Sequence, residues 1–232
     1  MIEKIKKTTE SVRIVVFTSV KPLSYKQGEF AKNLPLLLKR LKLKPEIVAF
    51  AKQVHGAKVF DVKSAKFVNG READGFITTK KNCLLLVFTA DCLPVFIYDV
   101  KNGYVGITHC GWKSTQKNII AKAVEKLKKK GSKVKDLHIV LGPRIMKCCY
   151  EVSPEFLLNF KGQYGNKGFC KRSGKLYFSL SDIVKLQLKK LRIPAKNIID
   201  TARCTCCDRK SYFSYRRDGK GTGRMVSGII AL

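Results

Sequence analysis

The stretch CLLLVFTADCLPVFIYD, residues 83–99, decides the fold of this 232-residue chain. Its two apolar runs, residues 83–88 and 94–98, are rich in β-branched and aromatic residues and have the length of strands. An aspartate and a proline interrupt the stretch, which is in any case shorter than the roughly 20 apolar residues that span a bilayer. The stretch therefore predicts two buried strands joined by a polar turn that carries Cys92.

Further strands and helices are predicted on both sides of this stretch. Strand-like composition recurs at residues 12–18, 47–52, 58–62, 104–108 and 137–141. Apolar residues recur at helical spacing over residues 29–43, 116–130 and 181–191. For the second of these helices we expect Ser114 or Thr115 as the N-cap and Gly131 as the stop. Strands and helices do not alternate strictly, and neither a repeat nor a linker is visible. We therefore predict an α/β (α+β) protein with a mixed sheet and one domain over residues 1–232.

Positive charge is the most unusual bulk property of the chain. Lys and Arg number 47 and Asp and Glu 17, a formal net charge of +30. Such a field attracts polyanions and phosphorylated metabolites. The lysines are scattered in short clusters, such as residues 126–135, and no RNA-binding aromatic motif or helix-turn-helix signature accompanies them. Specific nucleic-acid binding is therefore not expected, although a basic nucleic-acid-binding protein stays an alternative.

The N-terminal residues and the cysteines predict a cytoplasmic protein without a membrane anchor. The segment MIEKIKKTTE, residues 1–10, lacks the apolar core of a signal peptide. The nine cysteines are an odd number, which is not typical of a disulfide scaffold. We interpret Cys83 and Cys110 as small buried hydrophobic residues. The pair at residues 148–149 and the run CTCCD at residues 204–208 match no common ligand pattern and are interpreted as incidental thiols.

Three residues form a candidate metal or catalytic site. His55, in QVHG, and His109, in HCGWKS, each stand where a strand-like run meets a glycine-containing turn. Together with Cys92 they offer two imidazoles and one thiolate, which suit Zn²⁺ or copper and leave one tetrahedral position open for a water whose pKa falls toward ~7. The same residues also suit a metal-free reaction with Cys92 as the nucleophile. The third histidine, His138, lies in a core strand pattern and is interpreted as structural.

Two segments offer arginines for anion binding. Arg216 and Arg217 lie in FSYRRDGKGTGRM, residues 213–225, and Arg144 lies in LGPRI. Guanidinium groups bind phosphate or carboxylate bidentately. The alternative is that these arginines are solvated on an edge strand and its hairpin.

The order of motifs resembles that of the YfiH/laccase-domain family, from about residue 55 to the C-terminus. The motifs are QVHG, ADG, TADCLPV, HCGWKS, LGPRI, CYEV, SLSDIVKLQL and FSYRRDGKGTGRM. Members were first named multicopper polyphenol oxidases and later described as purine nucleoside phosphorylases with adenosine deaminase and methylthioadenosine phosphorylase activity, and some bacterial members are called peptidoglycan editing factors. The resemblance implies a single YfiH-like layered α/β domain, similar to the cytotoxic-necrotizing-factor fold. It also implies that His55, Cys92 and His109 meet at one zinc or copper site.

The resemblance further implies two reactions, for which the chemistry of the residues suggests candidate groups. Phosphate would displace the purine from C1′ of the ribose, with Arg144, Arg216 and Arg217 as anion contacts. Lys113 stands where the family has arginine, so it keeps the charge but not the bidentate fork.

For deamination of adenosine, a metal-bound hydroxide would attack C6 while a carboxylate relays protons. Asp91, beside a proposed ligand, and Asp74, in the ADG motif, are the two candidates for that carboxylate.

The sequence thus predicts a transferase and hydrolase that binds purine nucleosides and phosphate; it predicts no oligomeric state. One alternative is a hydrolase acting on the amide bonds of muramyl-peptide precursors, with Cys92 as the nucleophile and His109 as the base. A laccase-type oxidase is excluded because three histidines cannot hold its copper cluster.

Overall fold

The computed structural model describes residues 2–8, 13–26, 29–63 and 70–232, with the backbone alone for residues 2–8. The strands are β1 (Ile2–Thr8), β2 (Arg13–Ser19), β3 (Ile47–Ala49), β4 (Val59–Asp61), β5 (Gly75–Thr78), β6 (Cys83–Thr89), β7 (Leu93–Asp99), β8 (Val105–Cys110), β9 (Leu137–Leu141), β10 (Glu151–Val152), β11 (Phe169–Arg172), β12 (Lys175–Phe178), β13 (Ile198–Asp200) and β14 (Met225–Ala231). The helices are α1 (Phe30–Leu41), α2 (Trp112–Gln116), α3 (Ile119–Lys129), α4 (Leu158–Tyr164), α5 (Leu180–Lys190) and α6 (Tyr215–Asp218).

The two apolar strands of the opening stretch belong to different sheets. Strand β6 lies in a five-stranded sheet of order β1-β2-β14-β6-β3, and β7 lies in a six-stranded sheet of order β13-β9-β7-β8-β5-β4. Strands β10, β12 and β11 form a small third sheet. The turn at residues 90–92 carries the chain from one large sheet to the other, and Asp91 within it has a left-handed φ of 90°. Cys92 therefore lies where the chain crosses between the sheets.

Side chains of β6 and β7 alternate between two buried layers. Leu84 and Leu86 of β6 pack in the core under α1, whereas Leu85 points into the core between the two sheets. In β7, Phe96 joins the core between the sheets and Val95 joins the core under α3 and α5. Because both faces of each strand are buried, both strands are apolar almost throughout.

The layers run helix, sheet, sheet, helix. Leu37 and Leu41 of α1 cover the outer face of the five-stranded sheet. Apolar residues of α3 and α5, including Val124 and Val184, cover the outer face of the six-stranded sheet. Parallel pairs such as β3 with β6 occur beside antiparallel pairs such as β7 with β8. The prediction of an α/β protein with mixed sheets is confirmed, while a single domain over residues 1–232 stays a prediction.

The predicted helices are present with altered ends. Helix α5 begins one residue before the predicted start, and the Ser179 hydroxyl caps it by accepting the N–H of Asp182 at 3.3 Å. The N-cap prediction for the second helix is wrong. Ser114 and Thr115 are buried inside the separate helix α2, and Asn118, with a left-handed φ of 54°, divides α2 from α3. Position 12 of the predicted strand 12–18 and positions 1, 9 and 10 of the N-terminal segment lie outside the described residues.

The structure also bears on smaller predictions about cysteines, the third histidine and membrane spans. Cys83 and Cys110 are fully buried, as predicted, and burial raises the pKa of their thiols to about 11 and about 12. The imidazole of His138, in β9, stacks on the Tyr98 ring at 5.3 Å between centroids. Within the described part of the chain, no helix is both long and apolar enough to span a bilayer.

Candidate metal centre and cleft

Three separate segments bring the candidate ligands together. Cys92 lies at the crossover turn just before β7, and His109 lies in the neighbouring strand β8, where it pairs with Pro94. His55 lies in the loop between β3 and β4. The ligand atoms of the two histidines and the cysteine all lie within 4.8 Å of one another, and the imidazole centroids are 4.7 Å apart. The structure thus assembles the three residues that the sequence nominated.

One buried carboxylate positions both histidines. Asp74 is fully buried, and its Oδ1 accepts the Nδ1–H of His109 at 2.8 Å and the backbone N–H of His55 at 3.0 Å. Its Oδ2 accepts the backbone N–H groups of Val54 at 3.2 Å and Gly56 at 2.7 Å. The three backbone bonds fix the loop that carries His55, whose φ of 55° is left-handed. With Nδ1 held by Asp74, His109 presents Nε2 as its ligand atom.

The protonation of the site follows from burial and neighbouring charge. Burial alone would raise the pKa of Asp74, but His109 and the backbone N–H groups outweigh it and lower that pKa. Burial alone would lower the pKa of His109, but Cys92 and Asp74 outweigh it and raise that pKa to about 9. Burial and the neighbouring His109 lower the pKa of His55. A cation that binds at Nε2 of His109 therefore competes with a proton, so its affinity falls as the pH is lowered.

Gly111 has no side chain and so makes room for the side chains of the candidate ligands. It follows β8 and is the N-cap residue of α2. A Cβ at this position would overlap Nδ1 of His55 and would lie 2.9 Å from its Cε1 and 3.2 Å from the sulfur of Cys92. Only glycine allows the backbone to approach the site this closely.

The donor set fits a zinc ion. Two imidazoles and one thiolate are ligands that zinc takes in four-coordinate sites, and three protein ligands leave one position free. The hydrogen bond from His109 to Asp74 is the outer contact typical of metal-bound histidine. Copper accepts the same donor types, so the residues present fit either metal.

The site opens into a cleft of about 1210 Å³. Aromatic side chains line it, namely Tyr25, Phe30, Phe50, Phe88, Trp112, Tyr150 and Tyr215. Three of them, Phe30, Phe50 and Phe88, pack as one wall with centroids 4.8–6.3 Å apart. Basic residues also line the cleft, namely Lys26, Lys52, Arg216 and Arg224. The cleft thus combines apolar ring faces with cationic groups beside the candidate metal centre.

Two further predicted residues line or support the cleft. Asp91 is nearly buried, and its two oxygens accept hydrogen bonds from the Thr205 hydroxyl at 2.6 Å and the backbone N–H of Arg216 at 2.7 Å. The guanidinium of Arg216 donates to the carbonyl oxygens of Cys149 and Glu151 at 3.3 and 2.7 Å. Asp91 therefore holds the segment that carries Arg216 against the cleft.

The structure does not bring three predicted residues into the cleft lining. Arg144 is buried, and its guanidinium forms a bidentate pair with Asp200 at 2.6 and 3.0 Å. Arg217 donates to the carbonyl oxygens of Thr205, Cys206 and Tyr212 and pairs with Asp218. Both guanidinium groups thus bind internal partners and lie outside the cleft lining, and their contact with phosphate stays a prediction. Lys113 is exposed on α2 with its Nζ 5.4 Å from the Trp112 ring centroid, and its role stays a prediction.

Sequence reasoning missed part of the cleft. Arg224 lies in the tail motif FSYRRDGKGTGRM, where a basic residue in a glycine-rich segment is a usable signal for an anion contact. Lys26 and Phe30 carried no local signal, because their position depends on how α1 packs on the five-stranded sheet.

A family model described as "Multi-copper polyphenol oxidoreductase laccase" matches residues 25–232. The chain belongs to this family. It is 38% identical over 188 residues to a purine nucleoside phosphorylase of Clostridium acetobutylicum, covering 79% of this chain and 76% of that protein. It is 36% identical over 174 residues to a purine nucleoside phosphorylase of Borreliella burgdorferi, covering 73% and 74%. It is 31% identical over 160 residues to adenosine deaminase RL5 from an unknown prokaryotic organism, covering 67% of this chain and 61% of that protein.

Two solved structures have the same fold. The hypothetical protein YfiH of Bacillus licheniformis superposes with a TM-score of 0.83 at 29% identity, covering 94% of this chain and 92% of that one. YlmD of Geobacillus stearothermophilus superposes with a TM-score of 0.86 at 24% identity, covering 98% and 99%. The resemblance inferred from the motifs is confirmed.

Proposed function

We propose that the protein is a zinc-dependent purine nucleoside phosphorylase that also deaminates adenosine. The observation that carries this proposal is the cluster of His55, Cys92 and His109 at a cleft lined by aromatic and basic side chains. The names of the relatives support the reaction class. The substrates would be inosine, adenosine or methylthioadenosine with phosphate. Zinc rather than copper is proposed, with a cytoplasmic location that nine free cysteines support.

The cleft offers two kinds of contact, one for the purine and one for phosphate. A purine is a flat π-system, and the aromatic wall of Phe30, Phe50 and Phe88 provides apolar ring faces and edges for it. Phosphate requires cationic donors, and among the described residues the arginines that line the cleft are Arg216 and Arg224. Their charge would stabilise an anion near a ribose carbon that becomes positively charged as the base leaves.

Within the metal centre, the chain's own residues set orientation and protonation. When bound, zinc would supply Lewis acidity and activate a water at neutral pH. Asp74 keeps the proton of His109 on Nδ1 and holds His55 through its backbone N–H. Asp91 fixes the backbone of Arg216 beside the cleft. Both carboxylates already accept hydrogen bonds at each oxygen, so we assign them positioning roles.

A metal-free thiol hydrolase is the second candidate, because Asp74, His109 and Cys92 also form a carboxylate–imidazole–thiol chain. His109 contacts Asp74 through Nδ1 and hydrogen-bonds the Cys92 thiol. This order of groups is that of an activated cysteine nucleophile. It would act on amide bonds, as in muramyl-peptide precursors. A ring nitrogen of His55 lies within 4.8 Å of the same sulfur, and this second imidazole beside the thiol favours the metal centre instead.

The test compares the wild-type protein with Cys92→Ala and with Cys170→Ser, a control at an exposed thiol on β11. Each protein is purified without chelators, its metal is quantified, and it is incubated with inosine or adenosine with and without phosphate. We expect phosphate-dependent release of free base and ammonia release from adenosine by the wild type and Cys170→Ser. Cys92→Ala should lose both activities.

Removal of the metal separates the two candidates. If the metal-free protein loses phosphorolysis and regains it on addition of zinc, the phosphorylase is supported. If the metal-free protein leaves nucleosides intact but hydrolyses a muramyl peptide until Cys92 is alkylated, the thiol hydrolase replaces it.

A further inference from the structure

Four other cysteines converge on one point away from the candidate metal centre. Cys148 and Cys149 lie in the loop between β9 and β10, and Cys204 and Cys207 lie in the loop after β13. All four sulfur atoms lie within 4.8 Å of one another. The sulfur of Cys148 is 3.5 Å from those of Cys204 and Cys207, and the sulfur of Cys149 is 3.3 Å from that of Cys207.

We propose that these four thiols bind a second zinc ion, which ties the two loops together. Four thiolates are the ligand set of closed structural zinc sites. Cys204 and Cys207 have the C-x-x-C spacing common in such sites, which the intervening Cys206 obscured in the sequence. The proposal replaces the interpretation of these residues as incidental thiols, and it is independent of the proposed function because the two sites share no ligand.

The sulfur positions suit a tetrahedral ion after small movements. At a zinc–sulfur distance of about 2.3 Å, the sulfurs of a regular tetrahedron lie ~3.8 Å apart. The contacts of 3.3–3.5 Å and the upper bound of 4.8 Å bracket that value. Adjacent cysteines can both reach the ion because the chain turns here, with the N–H groups of Cys149 and Tyr150 both donating to the carbonyl of Met146 at 2.9 Å.

The surroundings favour the charge of such a site. Four thiolates and one Zn²⁺ carry a net charge of −2. Backbone N–H groups of Cys207, Met146 and Cys206 lie within hydrogen-bonding reach of the Cys204 sulfur. The guanidinium groups of Arg172 and Arg216 donate to the carbonyls of Cys148 and Cys149 at 3.0 and 3.3 Å. Cationic and N–H donor groups therefore face the cluster from more than one element.

The joined loops form one wall of the cleft. Tyr150 and Arg216 line the cleft, and Arg216 reaches back to the carbonyl of Cys149. The N–H of Ile145 donates to the carbonyl of Asp91, and Thr205 donates to its carboxylate. A zinc ion at the four thiols would brace this wall.

Metal counting tests the proposal. The wild type, Cys92→Ala, the double variant Cys204→Ser/Cys207→Ser and the control Cys170→Ser are purified without chelators under reducing conditions, and zinc is measured by elemental mass spectrometry. We expect two zinc ions per chain in the wild type and Cys170→Ser, and one in each of the other two. Co²⁺ bound to Cys92→Ala should give the thiolate charge-transfer bands of a four-sulfur site. Double variants that retain the wild-type zinc content would overturn the proposal, as would iron in place of zinc.

A second measurement on the wild type covers the case in which the double variant does not fold. The zinc-loaded protein is treated with N-ethylmaleimide before and after chelation, and each cysteine is located by peptide mass mapping. Cys148, Cys207 and Cys170 are all exposed, so slower alkylation of the first two than of Cys170 indicates that they bind metal. We expect at least a tenfold faster alkylation of Cys148 and Cys207 after chelation, with Cys170 unchanged. Equal alkylation of all three before chelation, or a disulfide between the two loops, refutes the proposal.

Discussion

Replacing Asp74 by asparagine should damage both folding and metal binding. Two donors, the Nδ1–H of His109 and the N–H of His55, share Oδ1, and the N–H groups of Val54 and Gly56 share Oδ2. An asparagine offers one oxygen and one NH₂ group, so in either orientation two of the four donors lose their acceptor. At about 1–3 kcal/mol for each unsatisfied buried donor, the free energy of unfolding falls by ~1–6 kcal/mol, with the lower end where His109 changes tautomer and accepts from the NH₂ group.

The substitution should also weaken metal binding. If the NH₂ group faces His109, its Nδ1 must become the acceptor, and the proton moves to Nε2, the atom that should bind the metal. If the NH₂ group faces the loop instead, the loop that carries His55 loses two bonds. Outer contacts of this kind change metal affinity by roughly 10- to 100-fold.

Urea unfolding of the metal-free protein and competition for zinc with a chromophoric chelator measure the two effects of Asp74→Asn. Glu125→Gln, which neutralises an exposed carboxylate on α3, is the matched control and should change neither. An Asp74→Asn protein with the unfolding free energy and zinc affinity of the wild type would show that the carboxylate does not organise the site.

Three further changes have defined outcomes. Gly111→Ala should abolish zinc binding and phosphorolysis because its Cβ overlaps the imidazole of His55. Gly162→Ala is the control and should change neither, because a Cβ there meets nothing within 4 Å. Zinc retained by Gly111→Ala would contradict the prediction. Burial raises the pKa of Asp200, but Arg144 and a lysine outweigh it and lower that pKa to about 2. The ionised Asp200 carboxylate therefore contributes ~2 kcal/mol to the free energy of unfolding above pH 4, and this contribution is lost as the pH falls toward 2. Unfolding curves of Asp200→Asn should lack that part of the pH dependence. Arg216→Gln should raise the KM for phosphate at least tenfold with little change in the KM for inosine, and equal changes in both would assign the residue to general support of the cleft.

The strands that are buried on both faces could be predicted from the sequence. β6 and β7 are apolar almost throughout because each lies between two cores, so composition alone located them. Their division between two sheets has no periodic signal, because it depends on the turn at Asp91 and on distant strands. Strand β14 was missed because Ser227 and Gly228 weaken its pattern. Gly228 is needed there, since a Cβ would lie 2.7 Å from Leu86.

The three candidate ligands could be predicted from residue chemistry. The groups that position them could not, because their contacts depend on pairing between distant segments. Two histidines and a cysteine are unusual enough to nominate a metal site on their own. The role of Asp74 depends on hydrogen bonds to a loop 18–20 residues away, which no local pattern encodes. Arg144 follows a Gly-Pro turn and looks exposed in sequence, yet its partner Asp200 is 56 residues further along the chain.

The place of the last strand has a consequence for synthesis on the ribosome. β14 lies between β2 and β6 and pairs with both, so it occupies the centre of the five-stranded sheet. Until residues 225–231 leave the exit tunnel, β2 and β6 have no strand between them, and the apolar faces on either side of the gap stay uncovered. The five-stranded sheet therefore reaches its native order only after β14 has been translated, and a premature stop before β14 leaves the sheet split in two.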